Sequence, residues 1–378
     1  MSGNSPGNDE KLESFLDAKQ VDSDAMDAIE DAAKEGRRPR SMTGELLEKK
    51  ARFRSRCRWS AVAVLCIVLS LLVAQRIRIH NQVMSEVAKL NDPDVTVRVQ
   101  AAQALRDFGP AAKAAVPALV EAAKDEKVGW ARSALESIGP SGKWALPQLI
   151  EGLTDEDPQG RAVAAFAIGC IGPKAREAVP NLIESLQDPL TRAEAARALA
   201  KIGPSAKAAV PALVETTKDE QAWVRVWAAD AIWRIDQDPR AIPVLIDVLK
   251  SHYASSTRAA TSLGNIGPSA KEAVPALIEH CVRFPSDGTS RAALERIGLD
   301  VEAVPYLIRA LGHPKLTDHR RELFITWLKK IGPPAVPELI EAAKSQHARQ
   351  SQAAFDALRR IDPKAAAKLD LKRSASKE

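Results

Sequence analysis

The chain repeats one pattern every 30 to 34 residues from about residue 94 almost to its end. Each copy places an apolar, helix-spaced stretch before a fixed anchor residue. The anchors are Gly109, Gly139, Gly172, Gly203, Asp236, Gly267, Gly298, Gly332 and Asp362. A period of this length with helical spacing inside it is typical of a solenoid, in which each unit packs only against its neighbours. The repeat therefore predicts an all-α fold of stacked units.

The first helix of each copy, helix A, ends at the anchor. The residue before the anchor is Phe108 in the first copy and Ile in the others, and the residue four before it is Leu or Ile. The residue five before it is small in every copy except one, which has Trp327. These three positions share one face of a helix, and the small side chain lets a second helix approach closely. A Gly anchor supplies the backbone conformation that ends the helix.

The second helix, helix B, begins near a fixed proline, which suits the first turn of a helix because its missing N–H has no partner there. The prolines are Pro117, Pro147, Pro180, Pro211, Pro243, Pro275, Pro305 and Pro337. In all eight copies Leu follows two residues later and Val or Ile three residues later, a pattern that indicates core packing. The last copy, residues 346–372, lacks this start, as expected of a terminal repeat with one face in water.

The whole unit resembles a HEAT repeat. An Asp-x3-Arg start, as at Asp94 and Arg98, precedes an Ala-rich helix A, then Ile-Gly-Pro, then Val-Pro-x-Leu-Ile/Val. More narrowly it is similar to the short HEAT-like repeats first associated with phycobilisome lyases, over about residues 91–372. The resemblance implies a right-handed α-solenoid of about nine helical hairpins that binds proteins and is not an enzyme. We accordingly expect no catalytic residues, no cofactor and no metal site.

The segment before the repeats changes character twice. Residues 1–36 carry ten acidic side chains against three Lys, which favours disorder, whereas residues 37–58 carry nine Lys and Arg. The stretch Trp59–Ala74 then has sixteen residues without a charge. As a helix it is about 24 Å long, against roughly 30 Å of membrane hydrocarbon, but flanking arginines can snorkel. This predicts a transmembrane helix at 59–75; a buried core helix and a cleaved signal peptide are the alternatives.

The predicted organisation follows in five segments. They are an acidic then basic disordered segment 1–58, a transmembrane helix 59–75, a connector 76–92, the solenoid 93–372 and a tail 373–378. Nine Lys and Arg precede the span in residues 37–58, and three follow it by residue 95. The positive-inside rule then predicts a single-pass membrane protein with a cytoplasmic N-terminus and extracytoplasmic repeats.

Signals for enzymatic chemistry are weak. The four cysteines are scattered, the six histidines lack metal-ligand spacing, and the net charge of +5 averages over segments of opposite sign. Cys57, beside the apolar stretch, is a candidate for acylation.

The alternative function is a lyase- or glycosylase-like enzyme on the same fold. Glycosylases of this kind use Trp, Asp and Arg on a basic face, as Trp227, Asp230 and Arg234 suggest, but here the helix-B column is acidic. We therefore expect no nucleic-acid partner.

Two surface features predict a binding site for a protein partner. The residue four after the helix-B proline is acidic in seven of eight copies, and Arg309 is the exception. The acids assigned to partner binding are Glu121, Glu151, Glu184, Glu215, Asp247 and Glu279. The aromatic residues assigned to it, in otherwise polar columns, are Trp130, Trp223, Trp227 and Trp233. A groove of one sign favours a partner of the other, so the expected partner is a basic protein segment. The alternatives are a solvated ridge paired with local Lys and Arg, and Trp residues packed under their neighbours.

Overall fold

The computed structural model describes residues 42–125, 129–251 and 253–375. All secondary structure in these ranges is helical, as the repeat pattern predicts. The chain divides into two compact units, Met1–Arg78 and Ile79–Glu378, and the second unit holds the repeats. The acidic segment 1–36 lies outside the described residues, as does the end of the predicted tail, residues 376–378.

Helix α1, Met42–Lys89, is a single helix of 48 residues that contains the apolar stretch. Within the described ranges, no helix combines the length and the apolar character that a membrane crossing requires. The predicted transmembrane helix at 59–75 is therefore wrong, and so is the single-pass topology with extracytoplasmic repeats. The physical reason is length, because the apolar stretch Trp59–Ala74 ends after sixteen residues, before the polar Gln75 and the charged Arg76 and Arg78.

Nine helix pairs follow α1 in the described part of the chain, as the repeat predicts. The A helices are α2 (Val95–Phe108), α4 (Gly129–Ile138), α6 (Pro158–Ile171), α8 (Arg192–Ile202), α10 (Ala222–Asp236), α12 (Tyr253–Ile266), α14 (Thr289–Ile297), α16 (Asp318–Ile331) and α18 (Ala348–Ile361). The B helices are α3 (Val116–Ala122), α5 (Leu146–Gly152), α7 (Val179–Ser185), α9 (Val210–Thr216), α11 (Ala241–Ser251), α13 (Val274–Arg283), α15 (Val304–Leu311), α17 (Val336–Ala343) and α19 (Pro363–Ala375). The right-handed sense of the stack stays a prediction.

The anchor residues end the A helices through an unusual backbone conformation. Gly203 has φ 73° and ψ −143°, a conformation that would be strained in a residue with a side chain. A seven-residue 3-10 turn leads from Gly203 to α9. Where the anchor is Asp236, the helix continues through it, and Gln237 takes the left-handed conformation with φ 53°. Each B helix with the fixed proline starts near that residue, as at Val210 and Pro211.

The predicted core columns pack in the core, although the Val/Ile column of the B helices is only half-buried in six of its eight copies. The small column brings A helices of consecutive repeats together. Ala231 is fully buried, and Trp327, the large exception, is buried as well. A Cβ built on Gly169 would lie 3.0 Å from the Cα of Ala198, and one on Gly264 would lie 2.9 Å from the Cα of Ala293. Helices α6 and α8, and α12 and α14, therefore pack backbone against backbone, which leaves no room for a larger side chain.

The Asp-x3-Arg start joins each of several repeats to the next. Asp94 caps α2 by accepting a 2.8 Å hydrogen bond from the backbone N–H of Thr96. Arg98 donates to the backbone carbonyl of Asp92 at 2.8 Å and pairs with Asp125, at the following junction, also at 2.8 Å. Arg161 and Asp188 repeat this pairing at 2.9 Å. These charged residues therefore stabilise the stacking of repeats.

Candidate partner-binding surfaces

The six predicted acids all lie exposed at equivalent positions of six successive B helices, α3 to α13. Three have local cationic partners: Glu121 with Lys124 at 2.9 Å, Glu215 with Lys218 at 2.8 Å, and Asp247 with Arg225 at 3.6 Å. The other three make no salt bridge with any described residue. These are Glu151, Glu184 and Glu279. We call the six residues the acid file; half of it is uncompensated by local pairing.

A cleft of about 490 Å³ opens at the N-terminal end of the acid file, between α3, α5 and the start of α6. Its walls include Glu121 and Glu151, together with Asp155, Glu156 and Lys124. Hydrogen bonds to Glu121 and then to Asp155 raise the pKa of the Lys124 amine. The backbone N–H of Asp157 and the Lys124 amine lower the pKa of Asp155. Lys124 and Asp155 are therefore charged at neutral pH, and the named lining holds four acidic side chains against one basic side chain.

The four predicted Trp residues lie on A helices, apart from the acid file on the B helices. Trp130 is 38% exposed on α4, with the Arg106 guanidinium 4.5 Å from its ring centroid. Trp223 is 46% exposed in the first turn of α10. Trp227 and Trp233, farther along α10, are half-buried and pack against the core. The structure thus divides the predicted site into two sets on different helix layers.

Trp227 belongs to a stack of alternating cations and aromatic rings that the sequence reasoning missed. The Arg197 guanidinium lies 4.7 Å from the Trp227 ring centroid, and that of Arg258 lies 4.2 Å from it. Arg197 also lies 5.6 Å from the ring centroid of Phe166, and Arg132 lies 4.9 Å from the same ring. We call these five residues the arginine ladder. The sequence does contain a spacing from which this cluster could have been predicted. Successive members lie 30 or 31 residues apart, one in each repeat: Phe166, Arg197, Trp227 and Arg258.

Carboxylates balance only part of the ladder. Glu194 pairs with Arg132 at 3.3 Å and with Arg197 at 2.9 Å, so one carboxylate serves two guanidinium groups. Lys201, whose amine lies 5.3 Å from the Phe166 ring centroid, pairs with Glu136 at 3.5 Å. Arg258 is exposed and pairs with no carboxylate of the described ranges. The group therefore keeps positive charge at its Arg258 end.

The residues that suggest a glycosylase do not form a reactive site. Asp230 is buried, pairs with Arg234 at 2.7 Å and accepts a 3.1 Å hydrogen bond from the Ser262 hydroxyl. Its carboxylate therefore holds α10 to α12 and is not open to a substrate. Burial raises the pKa of the Cys170 and Cys281 thiols to about 12, which disfavours the reactive thiolate. No cluster of metal-ligating side chains occurs among the residues that the structure describes.

Comparison with known proteins agrees with the repeat architecture. HEAT repeats match residues 146–225, 187–261 and 210–298, and the PBS lyase HEAT-like repeat matches residues 97–125. None of the curated proteins matches the sequence. Among solved structures, Kap121p bound to Pho4p is 14% identical with a TM-score of 0.50, over 78% of this chain and 41% of that one. The complex of CpcE and CpcF of phycocyanin lyase from Nostoc sp. PCC7120 is 23% identical with a TM-score of 0.40, over 56% of this chain and 92% of that one. The chain therefore contains HEAT repeats, in a helical solenoid.

Proposed function

We propose that this chain is a protein-binding scaffold whose acid file takes a basic segment of a partner protein. The observation that carries the proposal is the exposed and unpaired state, within the described structure, of Glu151, Glu184 and Glu279. Lys218 offsets the charge of Glu215, whereas no described cation pairs with these three acids, so their charge is available to a partner. Solenoids build extended binding surfaces from equivalent positions of successive repeats, and the file occupies such positions.

The expected spacing of the file makes its charges act together. Neighbouring helices pack about 8–10 Å apart, so successive carboxylates lie near one Debye length from each other at physiological salt. They repel one another mildly and share one negative potential, which steers a cationic segment toward the surface. The cleft beside Glu121 and Glu151 offers space for one Lys or Arg side chain of that segment.

The test is a fluorescence-polarisation titration with a labelled oligolysine peptide and the full chain. The triple variant Glu151→Gln, Glu184→Gln, Glu279→Gln removes the uncompensated acids without removing volume. We expect its Kd to rise at least about tenfold, since each loss of a charge-assisted contact is worth roughly a kcal/mol or more. Added salt should weaken binding by the parent chain more than residual binding by the variant.

A matched control separates the file from the net charge. The variant Glu177→Gln, Glu272→Gln, Glu302→Gln changes the net charge equally, but its three exposed acids lie in the 3-10 turns between helices. It should bind the peptide as the parent does. Equal weakening in both variants, or no binding by the parent, would contradict the proposal. The lyase- or glycosylase-like enzyme is the alternative, and a cofactor found in the purified protein would favour it.

A further inference from the structure

We infer that the arginine ladder is a second binding surface, with affinity for an acidic protein segment. The ladder spans five consecutive A helices, α4 to α12, with Arg132, Phe166, Arg197, Trp227 and Arg258 each on a different one. It therefore lies on the helix layer that does not carry the acid file. A scaffold with both surfaces holds two partners of opposite charge at once.

Contact with the aromatic rings favours carboxylate binding by the guanidinium groups. A guanidinium that contacts a ring through its face keeps its N–H groups at the edge, in the plane that bidentate pairing with a carboxylate requires. Burial of Phe166 and half-burial of Trp227 hold these rings in place, so the arginines lose less side-chain freedom when a ligand binds.

The ladder already binds one carboxylate of its own chain. Glu194, on α8, bridges Arg132 and Arg197 at 3.3 and 2.9 Å. One repeat farther on, the equivalent position is Trp227, and the one after it is Arg258. The exposed guanidinium of Arg258 lies over the Trp227 ring, and no carboxylate of the described chain pairs with it. A side chain of Asp or Glu from a partner would complete the pattern.

A protein segment fits better than a nucleic acid. Proteins that bind single strands need exposed rings on which bases stack. Of the two rings in the ladder itself, Phe166 is buried and Trp227 contacts a guanidinium from each neighbouring repeat. Binding of a phosphate backbone also needs several uncompensated cations, but Glu194 and Glu136 neutralise much of this group. The remaining positive charge, centred on Arg258, suits a few carboxylates.

The test uses a fluorescein-labelled polyglutamate peptide and the full chain, again by fluorescence polarisation. Arg258→Gln should raise the Kd roughly tenfold, the effect of losing one charge-assisted pair. The control is Arg291→Gln, which removes the same charge from an exposed arginine on α14, 3.9 Å from Glu295. It should leave the Kd unchanged, and circular dichroism should show the same helicity in both variants.

A conservative variant tests whether the guanidinium group itself is needed. Arg258→Lys keeps the charge but lacks the planar fork, so it should also weaken binding severalfold. Parent-like binding by Arg258→Lys, or equal loss in Arg258→Gln and Arg291→Gln, would show attraction to net charge alone and overturn the inference. Displacement of the peptide by single-stranded oligouridylate at a lower concentration than by free polyglutamate would overturn it as well. Because the acid file is tested with oligolysine, each proposal fails or holds by a different measurement.

Discussion

Gly264→Ala offers the sharpest test of how the repeats pack. The new methyl carbon would lie 2.9 Å from the Cα and 3.1 Å from the Cβ of Ala293, on the A helix of the next repeat. Two carbon atoms are in favourable contact at about 3.5–4.0 Å, so α12 and α14 must separate locally by at least roughly 0.6 Å. The atoms in contact are backbone or Cβ atoms, which no rotamer change can move.

The expected magnitude is the difference of two opposing effects. Alanine stabilises a helix interior over glycine by about 0.8–1.0 kcal/mol, whereas overpacking costs about 1–3 kcal/mol. The net effect should be destabilising by about 1 kcal/mol. Gly129→Ala is the matched control, because a Cβ on Gly129 meets no atom within 4 Å. It should be neutral or stabilising.

Urea unfolding followed by far-ultraviolet circular dichroism measures both variants. The unfolding midpoint of Gly264→Ala should lie below that of the parent, and that of Gly129→Ala should lie at or above it. If Gly264→Ala proves as stable as Gly129→Ala, helices α12 and α14 do not make the close backbone contact described, and the role given to the small column is wrong.

Three further predictions concern other buried residues. Ala231→Leu should lower the free energy of unfolding by about 1–3 kcal/mol through overpacking, whereas Arg98→Ala, which removes a partly exposed ion pair, should lower it less. Thermal melts compare the two variants. An unchanged melting curve for Ala231→Leu would show that the small column is not part of the core. Cys281, whose thiol pKa burial raises to about 12, should resist iodoacetamide in the folded protein while exposed Cys66 reacts, as peptide mass spectrometry would show. Burial also lowers the pKa of His280 below its ordinary value of 6.5, so the folded state binds fewer protons than the unfolded one. The contribution of neutral His280 to stability is fully present above about pH 6.5 and is lost as the pH falls toward the pKa of the folded state. The free energy of unfolding then decreases by up to about 1.4 kcal/mol per pH unit. His280→Asn should flatten this slope in urea titrations between pH 7 and 5; an unchanged slope would contradict it.

The local repeat was enough to predict the helices, their pairing and most of the core. The reason is that each unit buries the same columns against its neighbours, so position within the repeat decides burial almost regardless of the rest of the chain. Ala231 and Leu119 illustrate this, since both are fully buried as their columns predict. The predicted membrane span was wrong because its apolar stretch, Trp59–Ala74, has only sixteen residues, at the margin of what a bilayer requires.

The arrangement of the candidate surfaces depended on contacts between repeats. The sequence alone placed the acids and the Trp residues in columns, but it did not predict which charged side chains they would contact. Glu215 pairs with Lys218, whereas Glu184 forms no salt bridge with any described residue. The pairing of Arg132 with Glu194 joins residues 62 positions apart, and Trp227 lies between arginines of the two adjoining repeats. Helix type and burial follow from short-range periodicity, whereas charge compensation depends on which side chains the stack brings within a few ångströms, and only the tertiary structure decides that.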